Sequence, residues 1–411
     1  MSEVVLITIS GQDRTGLTSA LTGILASYDI NVLDIGQSVI HNSLSLGILI
    51  ESPADAKSCS VFKDILFKTH ELNLTARFTP IAEEDYEHWV NEQGKPKHIV
   101  TLLGRKITAR HLARITEVVT EHGFNIDQIS RLSGRISLNP QKQNHRAASV
   151  QLSLSGEVDD IAAMHSRFLK ISQELELDIA VQEDNLYRRN RRLVCFDMDS
   201  TLIQVEVIDE LAKAAGVGEQ VAAITESAMR GEIDFSESFR QRMALLEGMD
   251  ESVLKDIAEN LPVTDGAARL ISHLKHFGYK VAILSGGFSY FANYLKEKLG
   301  VDYVYANQLD FKNGKLSGKV VGEIVDGNMK AKLLVQLAKD EGISTEQVIA
   351  VGDGANDLPM LAIAGLGIAF HAKPIVKEQA RHSITNLGLD AILYLLGIRD
   401  RELNELEKTK D

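Results

Sequence analysis

Cysteine is almost missing from this chain: Cys59 and Cys195 are the only two in 411 residues. So distant a pair offers neither a disulfide framework nor a metal-spaced thiol pair, which suits a reducing compartment. No apolar run approaches membrane-spanning length, and the opening MSEVVLITIS has no basic region and already alternates like a strand. A soluble cytoplasmic protein without a membrane partner is expected. An excess of positive charge is lacking too. A formal charge of −13 argues against a general nucleic-acid binder, although one lysine or metal in a cleft can still receive a small anion. Familiar phosphate and acyl-transfer devices fail as well. SGK at 317–319 lacks the P-loop spacing, GFSYF does not continue a dinucleotide-binding pattern, and there is no G-x-S-x-G elbow.

What is there fills more than one core. The length predicts two or three domains, and 44% apolar residues suffice for them. VVLITIS reads as a strand, GQDRTG as a turn, Leu17, Leu21, Ile24 and Leu25 as a helical stripe, and INVLDIGQSV as a strand again. The order recurs after residue 97. Leu21 corresponds to Ile115, Ile24 to Val118, Asn31 to Asn125, Val32 to Ile126 and Ile35 to Ile129, which indicates duplication. Two small α+β modules, 1–80 and 97–184, are expected, joined by a connector at 81–96, with a projecting loop at 139–146. RRNRR at 188–192 marks a boundary, read as a solvated linker or an interdomain ion-pair site rather than a nucleic-acid patch.

Beyond it the pattern changes to α/β. A linker and first core strand (185–204) precede a helical stretch (205–262). Strands and helices then alternate over 263–395, which predicts a parallel sheet with crossover helices, before a polar tail at 396–411. LDFKNGKLSGKV carries an Asn-Gly hairpin signal. Ligands in such sheets sit beyond the carboxyl ends of the strands. FDMDST, LSGGF, DGNMK and VGDGAND place polar groups there.

Asp197, Asp199 and Asp353, with Asp357, form an all-oxygen set that suits Mg²⁺, because crowded carboxylates repel unless a cation joins them. Asp197 can attack phosphorus, and Asp199 can protonate the leaving alkoxide and later activate water. Mg²⁺ and Lys330 would neutralise the phosphoryl oxygens, with Ser285 and the Gly286 amide hydrogen-bonding them. Taken singly, each motif is an ordinary turn or surface feature; their common edge gives them weight. The histidines, among them His111, His122, His165, His273 and His276, suggest no cluster, and Cys195 reads as a small core hydrophobe.

FDMDST, AMRGEIDFSESFRQRM, ILSGGF, DGNMK and VGDGANDLPML resemble the haloacid-dehalogenase superfamily and, more narrowly, its phosphoserine phosphatases, over about 190–395. The resemblance implies a Rossmann-like core with a helical cap and phosphoserine as substrate, the last step of serine biosynthesis. It implies Asp197 as nucleophile, Asp199 as acid/base, and Mg²⁺ held by Asp197, the Asp199 carbonyl and Asp353, with Asn356 and Asp357 in support. It further implies Glu206 near the substrate ammonium, Arg242 at its carboxylate, and Met229 and Phe235 as shields. The duplicated front half resembles ACT-type modules, more loosely. That likeness implies homodimerisation and a serine effector near Asp13, Arg14, Gly16 and Asn31, while GRKITAR departs from the pattern in the second copy. Sensing and a purely structural role both stay open for the modules. For the catalytic half, the alternatives are another small amino or hydroxy phosphoester as substrate, or an idle site in an amino-acid-sensing protein.

Overall fold

The computed structural model describes residues 3–52, 57–139, 147–157 and 160–408, and it divides into two compact units, Met1–Lys95 and Pro96–Asp411. In the first unit, β1 (Glu3–Gln12), β2 (Asn31–Ile40), β3 (Ser43–Ser52) and β4 (Leu74–Ile81) form an antiparallel sheet in the order β2-β3-β1-β4. Val5, Ile7 and Ile9 alternate inward along β1, as the period of two requires. They meet Leu17, Leu21 and Leu25 from helix Leu17–Ser27, one face at a spacing of four. The connector region carries a helix, Glu83–Asn91.

The second unit opens with the same arrangement. β5 (Lys97–Gly104), β6 (Asn125–Arg131), β7 (Ala148–Ser155) and β8 (Asp178–Glu183) take the order β6-β7-β5-β8. The duplication reaches into the defects: pairing to the central strand slips between Val32 and Asp34 in one copy and between Ile126 and Gln128 in the other. From residue 140 to 146, the expected projecting loop lies outside the described residues. The copies differ in burial. β5 is covered on both faces, and Leu103, Leu132 and Ala180 join the core cluster of the following α/β domain. The near-continuous apolar run HIVTLLG is the sequence counterpart of that double burial.

The α/β domain holds β9 (Leu193–Phe196), β10 (Lys280–Phe288), β11 (Tyr303–Lys312), β12 (Lys315–Val321), β13 (Val348–Gly352), β14 (Leu366–Phe370) and β15 (His382–Ile384). The order is β12-β11-β10-β9-β13-β14-β15, parallel throughout except for the β11–β12 hairpin. Asn313 and Gly314 turn that hairpin with φ of 55° and 76°, the left-handed pair an Asn-Gly turn supplies. β9 is central. The chain places β10 on one side of it and β13 on the other, so the topology reverses there and opens a crevice at the strand ends.

Four helices between β9 and β10 form the cap: Val207–Ala215, Gly218–Met229, Phe235–Ala244 and Ser252–Glu259. Two paired segments make its neck, where Gln204 N–H donates to Pro262 O (2.9 Å) and Thr264 N–H to Leu202 O (2.9 Å). The 396–411 tail is not merely polar surface. Asp400–Lys408 is a helix whose Leu403 is buried, and Asp400 accepts from the Tyr394 hydroxyl at 2.6 Å. RRNRR is likewise no solvated linker throughout, because Arg188 and Arg191 are buried against the second module.

Candidate active site

β9 ends at Phe196, and the chain then makes a wide turn over Met198–Leu202 with Ser200 at φ 55°. The turn lets Asp197 and Asp199 face one cavity. Asp197 Oδ1 accepts from Met198 N–H at 2.7 Å and from Lys330 Nζ at 2.8 Å, which leaves Oδ2 without a hydrogen bond among the described residues. Asp199 Oδ1 is held by Val207 N–H at 2.9 Å, at the start of the first cap helix. A side chain on Gly287 would run into Asp199 Oδ2, so the glycine loop and the acid are neighbours.

Lys330 is wholly buried. It sits in the first turn of helix Gly327–Asp340, whose N-cap Asp326 accepts from Met329 N–H at 2.8 Å, and it bridges Asp197 and Asp357 (2.7 Å to the latter). Both oxygens of Asp357 are engaged, Oδ1 by Lys330 and Oδ2 by Gly354 N–H at 2.9 Å. Asp353 Oδ1 accepts from the Thr201 hydroxyl at 3.0 Å. Carboxylate oxygens of Asp197, Asp353 and Asp357 lie within 4.8 Å of one another.

The electrostatics follow from this crowding. Burial, then the charges of Asp357, Asp353 and Asp199, hold Asp197 well above the usual carboxylate range despite Lys330. Burial and Glu206 push Asp199 up to about 8, and burial with Asp357 and Glu206 lifts Asp353 to about 7. Burial alone would lower the Lys330 ammonium, but Asp197 and Asp357 overcome it and raise it. One interior lysine therefore leaves these acids under-neutralised. Three close carboxylates with no thiol or imidazole among them are a donor set fit for a hard divalent cation.

Ser285 is buried at the end of β10, its Oγ accepting from Gly287 N–H at 2.9 Å. The Gly286 carbonyl accepts from Asn307 Nδ2 at 2.8 Å, and Asn307 Oδ1 accepts from Val325 N–H at 2.8 Å. Asn307 was missed in the sequence. Its available signal was a polar residue within the strand YVYANQL, where the parallel pairing with β10 ends. From the cap, Phe235 covers Gly286: a Cβ there would lie 2.9 Å from Phe235 Cζ. Phe235 stacks on Phe239 at 6.0 Å between ring centroids, and Phe239 packs on Phe288 at 5.6 Å. Glu206 accepts from the Ser200 hydroxyl at 2.7 Å. Arg242 is partly buried, which lowers its guanidinium, while Glu206, Asp209 and Asp199 act to raise it. The Met229 side chain lies outside the described residues, and Asn356 sits in the short turn Ala355–Asp357.

Family models match the chain in three places. A haloacid dehalogenase-like hydrolase covers residues 191–365, and ACT domains cover 3–79 and 96–182. The chain is 39% identical over 400 residues to phosphoserine phosphatase SerB2 of Mycobacterium tuberculosis, covering 97% of this chain and 94% of that one. It is 38% identical over 407 residues to the phosphoserine phosphatase of Streptomyces coelicolor, covering 99% and 95%. Among solved structures, a HAD family hydrolase from Salmonella enterica serovar Typhi superposes with a TM-score of 0.62 at 30% identity, over 73% of this chain and 98% of that one. A probable phosphoserine phosphatase from Vibrio cholerae gives 0.58 at 38% identity, over 75% and 88%. Fold and site together define a haloacid dehalogenase-like hydrolase with a helical cap, preceded by two ACT domains. Within that class, the chain belongs to the phosphoserine phosphatase family. No helix among the described residues is long and apolar enough to cross a membrane.

Proposed function

We propose that the protein hydrolyses O-phospho-L-serine to L-serine and inorganic phosphate through a phosphorylated Asp197, with Mg²⁺ as cofactor. The observation that carries this reading is the buried Lys330 bridging Asp197 and Asp357 beside Asp353. Asp197, through the oxygen that does not attack, and Asp353, through the oxygen free of Thr201, would hold Mg²⁺ together with the Asp199 main-chain carbonyl, and Asp357 and Asn356 support them. When bound, the ion neutralises the clustered acids and the phosphoryl oxygens.

Each remaining step belongs to the chain's own residues. Asp197 Oδ2, free of donors, attacks phosphorus as the ester P–O bond breaks. Asp199, aimed at the glycine loop, gives its proton to the departing serine oxygen. Ser285, the Gly286 amide and Lys330 hold the phosphoryl oxygens. A water then attacks the acyl phosphate and yields its proton to Asp199, which restores both acids and releases phosphate. Glu206 and Arg242 fit the ammonium and carboxylate of the amino acid, and Arg can grip a carboxylate with two parallel hydrogen bonds. Phe235, lying over Gly286, closes the site against bulk water.

For the small modules we read Asp13, Arg14, Gly16 and Asn31 as the serine-sensing turn. Asp13 and Arg14 are exposed beside Gly16 at φ 91°, and Asn31 Nδ2 donates to Glu51 at 3.1 Å. Val32, Ile35 and Ile40 are 41%, 47% and 77% exposed along β2, which supports a second copy docking there in a homodimer. Sedimentation of the wild type against Ile35→Lys tests that docking. Steady-state assays across phosphoserine, phosphothreonine and glycerol phosphate, with Mg²⁺ titrated after chelation, test the activity. Phosphoserine should be preferred and turnover should depend on the metal. Equal efficiency across the panel would favour a general phosphatase of small phosphoesters, and no turnover with any substrate would favour an idle site.

A further inference from the structure

A cavity of about 720 Å³ lies between the second ACT domain and the hydrolase core. Helix Ile161–Leu175 and β8 form one wall, and residues 377–383 form the other. Arg191 and Gly365 also line it. They precede β9 and β14, whereas Asp197 and Asp353 follow β9 and β13. The cavity is therefore at the opposite edge of the parallel sheet from the catalytic acids, separated by a strand length of roughly 13–17 Å. No molecule the size of phosphoserine reaches both.

The lining is crowded with positive or protonatable groups: His98, His165, His382, Arg191, Lys377 and Arg381. Glu183, Glu346 and Glu378 line it as well, with the charge of Glu183 acting on His98 and that of Glu346 on Arg191. Burial favours the neutral form of His98, His165 and His382, and the neighbouring basic groups add to it at the latter two. After burial, Arg381 and His98 lower His165, and His165 with Arg191 lower His382. Two buried side chains here are incompletely paired. His98 is 7% exposed with no partner for Nδ1, and Arg191 is 4% exposed with none for Nε. A buried polar group left without a partner is costly, and an oxyanion in the cleft would meet the Lys377 and Arg381 side chains and, after a small shift, these nitrogens.

We propose that this cleft is a second ligand site, separate from the catalytic centre, that binds a small oxyanion, either a carboxylate or a phosphate-like group. The volume admits an organic acid well beyond a bare ion. Its occupant touches both the ACT domain and the strand edge that starts the catalytic sheet.

Calorimetric titration of the full chain with succinate and with sulfate tests the site and separates its two chemistries. Binding of either anion, weakened at least tenfold in the double variant Lys377→Gln/Arg381→Gln, supports the proposal, and the anion that binds names the class. The variant should keep its unfolding temperature and its kcat/KM on phosphoserine to within about twofold. Binding of neither anion, or equal binding by variant and wild type, overturns the proposal. Binding is read without turnover, so failure of the phosphatase reading would leave this result standing.

Discussion

At the scale of residues, the site is built by competition for protons and donors. Asp197 keeps one oxygen for Met198 N–H and Lys330, so Asp197→Asn retains a carbonyl in the same place but loses the carboxylate proposed to attack phosphorus. The expected outcome is an unchanged fold by circular dichroism and a kcat lower by about a thousandfold or more. Arg242→Ala should raise KM for phosphoserine by roughly 10–100-fold, since a charge-assisted hydrogen-bonding pair contributes about 1.5–3 kcal/mol. The same change should leave glycerol phosphate nearly untouched, and steady-state kinetics on both substrates separates the two effects. Asn307 has a different task. It holds the Gly286 carbonyl and the Val325 amide, so Asn307→Ala should lower kcat about tenfold by loosening the glycine loop at 286–287, with less effect on KM.

The clustered charged residues were readable because their types are expensive to place together. Asp197, Asp353 and Lys330 carry charge into an apolar edge, and motifs on four different segments announce it. Asn307 was not readable, because its partners are main-chain groups that only the fold brings near. The engagement of both Asp357 oxygens, one by Lys330 and one by Gly354 N–H, was likewise invisible before the turn at 353–357 was in place.

Among elements, the periods of two and four marked the strands and helices of the small modules, and residues in register, such as Asn31 with Asn125, marked their duplication. The Asn-Gly hairpin and the alternation of strand and helix were equally plain. Less plain was why β5 is buried on both sides. That follows from the hydrolase core packing on the outer face of its sheet, which residues 97–104 cannot announce by themselves. The cap is held by its neck and by the hairpin: Gly248 N–H donates to Leu316 O at 2.8 Å, and Leu316 N–H to Met249 O at 2.9 Å. Closure over the site depends on Phe235 lying directly on Gly286. Gly286→Ala would put a methyl 2.9 Å from that ring and 3.3 Å from Val325 O. The cap should then seat badly, and KM for phosphoserine should rise about tenfold while the unfolding midpoint hardly moves.

For the molecule as a whole, the Pro96–Asp411 unit is joined by a buried polar seam rather than a loose linker. Asp178 is fully buried and accepts from the amides of Thr385 (3.0 Å) and Asn386 (2.9 Å). Gln182 donates to Leu395 O at 3.0 Å and accepts from Arg191 at 2.9 Å. His382 lies between Gly367 O (3.1 Å) and Val181 O (2.8 Å), and burial pushes it down to about 4. Because the folded value is below the ordinary 6.5, the unfolded chain binds the extra proton between those limits. Stability from this group is complete above pH 6.5 and is lost as pH falls towards 4, by about 2–3 kcal/mol. Urea unfolding of wild type and His382→Gln across that range should show the wild type losing its advantage by this amount. A difference independent of pH would contradict it. Scattered histidines gave no hint of this seam, and the basic pentapeptide offered an interdomain ion-pair site only as one alternative, because the seam's partners come from positions about 200 residues apart in the chain.

The most direct test of the catalytic account is to quench the full-length enzyme during turnover with phosphoserine and Mg²⁺, reduce any acyl phosphate with borohydride, and locate the modified residue by peptide mass spectrometry. Modification at Asp197, absent from Asp197→Asn, is the predicted result. A phosphoryl group on any other side chain, or turnover without a covalent intermediate, would contradict it.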